Sequence, residues 1–132
     1  MNLHEIKQEH SERIHKAMTR NGVFWAFNNK QFLENKTPLM EGEKYVSIGA
    51  GGYMPKSKID QYLLEMKAVK DWFKRQTAKG PNRRKLIEYE LNNHECYYIG
   101  DIEPAIIALG EGYTYNEVLA VYNEVRQTIE VY

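Results

Sequence analysis

Apolar positions recur at steps of three and four through Leu3, Ile6, His10, Ile14, Ala17 and Met18, predicting an amphipathic helix over 3–18 that Asn21-Gly22 closes. The period then changes. Val23-Phe24-Trp25-Ala26-Phe27 is an unbroken aromatic and β-branched run behind a turn signal, and it reads as a buried strand. Asn28 is placed to cap a short helix carrying Gln31, Phe32 and Leu33, which Lys36-Thr37-Pro38 breaks. Residues 43–49, centred on Tyr45, Val46 and Ile48, form a second expected strand, antiparallel to the first. A longer helical stripe follows at Ile59, Tyr62, Leu63, Met66, Val69, Trp72 and Phe73, opened by a Ser57/Asp60 capping box and stopped by Gly80-Pro81.

Residues 83–100 satisfy two templates. Ile87 to Leu91 alternates as a strand does, with Asn92-Asn93 able to turn it into a hairpin with Cys96–Ile99. Leu86, Ile87, Leu91, His94 and Tyr98 also recur at near-helical spacing with Gly100 as the stop, and helix is the preferred reading. Asp101 then caps a short helix with Ile102, Ile106 and Leu109, ending at Gly110. Thr114 and Glu117 form a further capping box before a last helix that turns Val118, Val121, Tyr122, Val125 and Ile129 inward. The expected fold is α+β: a helix-rich single domain over 1–132, with a small antiparallel sheet (strands near 23–27 and 45–49) and a helical C-terminal module from about 83 to 130.

Between the second strand and the long helix lies Gly49-Ala50-Gly51-Gly52-Tyr53-Met54-Pro55-Lys56-Ser57-Lys58. Three glycines in four positions let amides turn inward, and a helix start behind them would add partial positive charge, the ingredients of an anion site. Gly49, Gly51 and Gly52 with Tyr53, Lys56 and Lys58 are therefore a candidate site for a phosphate or nucleotide. Neither GxxxxGK[ST] nor GxGxxG is present, and a plain tight connection accounts for the glycines equally well.

Composition adds little to the class and more to the surface. Hydrophobic residues at 42% and charged residues at 27% suit a globular chain and argue against disorder. Ten Tyr, two Trp and four Phe exceed what a small core needs and favour a contact surface. Net charge is zero but polarised: residues 56–85 carry ten Lys or Arg against three acids, a net of +7, and residues 86–132 carry Arg126 against nine acids, a net of −8. Such polarity serves internal pairing, head-to-tail pairing of copies, or charged partners. Lys70, Lys74, Arg75, Arg83 and Arg84 on the basic side, and Glu88, Glu95, Asp101 and Glu103 with Tyr97 and Tyr98 on the acidic side, are the partner-binding candidates. The basic set could also follow a phosphate backbone, which leaves nucleic acid as a secondary partner. A single cysteine, Cys96, excludes an internal disulfide framework and fits a reducing cytosol. No signal peptide and no bilayer-length apolar run is present, so the chain is expected to be cytoplasmic, neither secreted nor membrane-spanning.

Glu90-Leu91-Asn92-Asn93-His94-Glu95, then Tyr98-x-Gly100-Asp101, Ala108-Leu109-Gly110 and Glu117-Val118, resembles a module of small phage and mobile-element proteins that typically reads ELxNHExxYTGD, EALG and EEV. Ile99 stands where that pattern has Thr. Asn21 to Phe27, Lys44-Tyr45-Val46-Ser47 and Gly51-Gly52-Tyr53 also look like uncharacterised members of such families. The resemblance covers most of the chain and implies an accessory protein of the kind used against host defences, with no reaction attached.

His94, Glu95 and Cys96 are reactive types, yet neighbours on a helix point about 100° apart and do not make a ready dyad. The acids nearby would raise the Cys96 pKa. No second histidine lies four residues from His94 and no CxxC follows it, so metalloprotease and deaminase signatures are missing. Asn93 and His94 are expected to cap or cross-link helices, and Glu95 to pair with a cation. The expectation is a non-enzymatic binding protein without cofactor or metal, acting on a host protein such as a defence component, with homo-oligomerisation open. A nucleotide binder at 49–53 is the alternative, and an enzyme centred on His94 the third.

Overall fold

In the computed structural model, which describes residues 1–129, the fold is α+β, with α-helices and one three-stranded antiparallel sheet. The chain divides into two compact units, His4–Lys74 and a second made of Met1–Leu3 with Arg75 onward.

The first unit begins with α1 (Leu3–Arg20), which buries Ile6 and Ala17 and half-buries His10 against the Phe73 ring at 4.5 Å. Its end is a tight hub. Asn21 is fully buried, and its amide donates to the Ala17 carbonyl at 2.7 Å and to the Glu65 carboxylate. Gly22 follows at φ +69°, where a Cβ would lie 3.0 Å from Thr37 Oγ1 and 3.1 Å from Pro55 Cδ, so any side chain there is both strained and crowded. The Thr37 hydroxyl in turn donates to the Gly22 carbonyl at 2.6 Å.

The sheet contains β1 (Phe24–Trp25), β2 (Tyr45–Gly49) and β3 (Gly52–Pro55) in the order β1-β3-β2. β1 and β2 do not pair with each other; β3, which the sequence pattern concealed, lies between them and pairs antiparallel with both. Alternation along these strands puts Phe24, Tyr45 and Tyr53 with Phe32 of α2 (Asn29–Asn35) into a ring cluster with centroids 5.1–5.7 Å apart. Asn28 caps α2 as expected, its Oδ1 accepting the Gln31 amide at 2.8 Å. A 3-10 turn over Lys56–Lys58, itself entered from Pro55 without a side-chain cap, leads into α3 (Ile59–Thr77), so Ser57 sits inside the turn instead of at the helix start. Val69 and Trp72 are buried, and Arg13 of α1 stacks over the Trp72 ring at 4.1 Å. Leu63, expected on the inner stripe, is exposed beside Leu64.

In the second unit Gly80-Pro81 opens a helix as well as separating two: α4 (Gly80–Asn93) has Pro81 in its first turn, where a missing N–H costs nothing. It buries Leu86, Ile87 and Leu91 and packs against α5 (Cys96–Ile99), α6 (Glu103–Leu109) and α7 (Tyr115–Arg126). The helical reading of 85–99 therefore holds over the hairpin, with one break: Glu95 adopts φ +53° and its carbonyl starts α5, which Gly100 ends at φ +71°. Asp101 Oδ1 accepts the Glu103 amide at 3.0 Å, and Thr114 Oγ1 accepts the Glu117 amide at 3.1 Å. α7 stops at Arg126, so Ile129 lies past the helix and is exposed, contrary to its expected inward place. Glu130, counted among the acids, and the end of the expected module lie outside the described residues.

Candidate functional site

The glycine segment is a hairpin turn, not a strand-to-helix junction. Gly49 pairs with Gly52, and the two loop residues Ala50 and Gly51 have φ of +51° and +82°, the positive values a type I′ hairpin turn requires. Lys56 and Lys58 lie past the opposite end of β3, in the 3-10 turn, where Lys58 Nζ reaches the Arg20 carbonyl at 3.5 Å. The glycines therefore have no helix N-terminus directly behind them. Tyr53, expected beside an anion, stacks on Phe24 at 5.7 Å within the ring cluster.

What the glycines accommodate is side chains. A Cβ on Gly52 would lie 2.8 Å from both Trp25 Cζ3 and Ile48 Cγ1, and one on Gly51 would strike the Phe27 ring. Trp25 and Ile48 thus converge over Gly52, and Phe27 covers Gly51. These side chains are 43%, 38% and 76% exposed, so the run 23–27 is not the buried strand its composition suggested. The corner that carries them is pinned: the Ala26 amide donates to the Gly51 carbonyl at 2.9 Å, the Phe27 amide to Gln31 Oε1 at 2.8 Å, and Asn35 Nδ2 to the Trp25 carbonyl at 2.8 Å. Asn35 was not named from sequence and Gln31 only as a residue of the short helix; the hint was polar residues at i+4 and i+10 from those backbone groups. The result is an apolar platform with a fixed backbone.

The charged candidates of the second unit divide into engaged and open groups. Arg83 grips Glu117 with two nitrogens at 2.6 and 2.7 Å, donates to the Ala78 and Gly112 carbonyls, and lies 4.2 Å from the Tyr113 ring centroid. Its hydrogen bonds to Glu117 raise the guanidinium pKa and hold the Glu117 carboxyl below its ordinary value. Arg84 bridges Glu88 at 3.0 Å and Glu124 at 2.7 Å. Neither arginine is laid out as part of an open basic stripe. Tyr97 stacks face to face on Tyr122 at 5.1 Å, and burial raises its phenol pKa. Tyr98, by contrast, is 91% exposed, and Glu95, Asp101 and Glu103 are exposed too. Lys70 and Lys74, at the end of the first unit, and Arg75 are exposed along α3.

His94 is the C-cap of α4, as one of the two expected roles had it, and its Nε2 lies 3.2 Å from Glu90 Oε2 of the same helix, a pairing within one element and not a cross-link between helices. Glu95 contributes its left-handed backbone, and its carbonyl accepts the Tyr98 and Ile99 amides. Cys96 is fully buried, and that burial pushes its thiol pKa up. Among the described residues no three His, Cys, Asp or Glu side chains converge as metal ligands, and no helix is long and apolar enough to cross a membrane.

An α+β chain with an exposed aromatic hairpin and a helical, arginine-bridged second unit is the class these observations define. The chain belongs to the family of unknown function DUF7659, whose pattern matches residues 3–130. No curated protein and no solved structure matches it.

Proposed function

We propose that this chain is a binding protein that acts by protein–protein contact through the platform of Trp25, Phe27 and Ile48. One observation carries the reading: three large apolar side chains held in solvent over Gly51 and Gly52 by a pinned backbone. Contiguous exposed apolar surface on a fixed backbone is the mark of an interaction site, and Trp and Phe supply large contact area at small entropic cost. The resemblance of the Glu90–Asp101 motif to phage and mobile-element proteins supplies the context: an accessory protein of such an element, working in the host cytosol by occupying a component of a defence system. The exposed acids Glu95, Asp101 and Glu103 suit a target with a basic, nucleic-acid-binding groove.

The reading is non-enzymatic, supported by the sealed thiol of Cys96 and the engagement of His94 with Glu90. The nucleotide alternative at Gly49, Gly51, Gly52 and Tyr53 has less support, because side chains occupy the space beside Gly51 and Gly52 and the two lysines lie past the far end of β3. The test is capture from a host lysate with the wild type and with a Trp25→Ser/Phe27→Ser variant shown to fold. A host protein retained by the wild type and lost by the variant is expected. Equal retention by both would sink the platform, and turnover of a small molecule by the purified chain would sink the whole reading.

A further inference from the structure

The two units are oppositely charged: residues 4–74 carry twelve Lys or Arg against nine acids, and residues 75–132 carry six against nine. Each also leaves apolar side chains exposed beside charges of its majority sign, with Lys67 of α3 also 3.5 Å from Asp71 Oδ2. On α3, Leu63, Lys67 and Lys70 follow one line at helical spacing with Leu64 beside them, all exposed. On the acidic unit, Tyr98 and Ile99 end α5, and Glu103 and Ile107 share a face of α6 one turn apart, with Ile107 72% exposed. Asp101 sits at the start of that helix, accepting the Glu103 amide.

From this complementarity we infer that a second copy of the chain is the occupant of both surfaces: the leucine and lysine line of α3 on one copy seats against the exposed Tyr98 and Ile99 of α5 and Glu103 and Ile107 of α6 on the next. Lysines meet carboxylates at the rim while leucines cover the tyrosine and isoleucines, the division of a protein interface into apolar centre and polar edge. The two surfaces differ, so the contact is head-to-tail. Such contacts close into rings or extend into chains, unlike a two-fold dimer. The contact uses none of the hairpin platform residues and stands whether or not that platform binds a host protein.

The experiment uses the full chain and two variants altered only at exposed positions: Leu64→Gln/Lys67→Gln/Lys70→Gln on α3, and Tyr98→Gln/Glu103→Gln/Ile107→Gln on α5 and α6. Mass is followed by light scattering and sedimentation up to about 1 mM at low salt, where weak contacts are populated. The wild type is expected to associate increasingly with concentration, and added salt to weaken it. Each variant should weaken self-association by about tenfold or more, equivalent to at least about 1.4 kcal/mol. Equal mixing of the variants should restore association but stop at a pair, because only one intact face remains on each chain. A wild type that stays monomeric throughout, variants that associate as the wild type does, or a mixture that fails to pair would each overturn the inference. Helical circular dichroism of both variants, matched to the wild type, ties a loss of association to the contact and not to unfolding.

Discussion

The unit His4–Lys74 and the unit from Arg75 onward solve the same problem with different materials. The first is held by packed rings and turn hydrogen bonds: Phe24, Phe32, Tyr45 and Tyr53 form one cluster, and Asn21, Gly22, Thr37 and Glu65 tie the end of α1. The second is held by helix packing around Leu91, with arginines bridging helices, Arg83 to Glu117 and Arg84 to Glu124. The difference teaches where function can be placed. A ring-packed sheet can leave some of its rings in solvent without unbuilding itself, whereas Arg83 and Arg84 of the second unit are committed to carboxylates and its exposed apolar side chains, Tyr98, Ile99 and Ile107 among them, lie on helices instead.

Both tryptophans, Trp25 and Trp72, lie in the first unit, so their fluorescence follows that unit while helical circular dichroism follows both. The largest effect is expected from Leu91→Ala in the second unit, where losing a fully buried side chain should cost about 3 kcal/mol in urea unfolding. If the tryptophan transition moves as far as the dichroism transition, the two units unfold together and the contrast is one of chemistry alone. Gly22→Ala should cost about 2 kcal/mol, because it combines a left-handed backbone with close approach to Thr37 and Pro55. A cost below about 0.5 kcal/mol, the level of an ordinary surface change, would remove Gly22 from the hub.

Arg83→Lys keeps the charge but loses the fork. About 1.5 kcal/mol should go, read from the midpoint of dichroism-monitored unfolding.

Acid separates the units more finely. The Asn21 hydrogen bond, aided by Gln61 and Arg20, holds the Glu65 carboxyl below its usual value; Arg83 does the same to Glu117. A carboxyl with a depressed folded pKa stabilises the fold above its unfolded pKa, and that stability drains away as pH falls through the folded value. Stability should therefore decline below the ordinary carboxylate range, and Glu65→Gln should flatten the decline seen by tryptophan fluorescence. An unchanged acid limb would show that Glu65 contributes nothing to it. The smallest effect is a gain: Ala50→Asn places Asn-Gly in the turn and relieves an alanine at φ +51°, worth about 0.5–1 kcal/mol in thermal or urea unfolding.

The helices were legible because their periods, caps and stops are local. Asn28, Asp101 and Thr114 receive the amides their positions imply. β3 was hidden because a strand of Gly52-Tyr53-Met54-Pro55 carries two residues that strands avoid; Pro55 is tolerated as its last residue. Hiding β3 also disguised the hairpin, and so the glycines read as part of a helix junction. Trp25 and Phe27 were misplaced because an apolar run names no face, and the strand there is only two residues long and ends before Phe27. Arg83 sits in a basic run that looks solvated, and its partner Glu117 is 34 residues away, beyond any local pattern.

Cys96 offers a different kind of instrument. The single thiol, sealed within the helical unit, meets a labelling reagent only when that unit opens, so the rate of thiol modification in an unmodified sample becomes a clock for opening there. Indole emission times one half of the molecule and the sulfhydryl the other, and nature has already installed both probes.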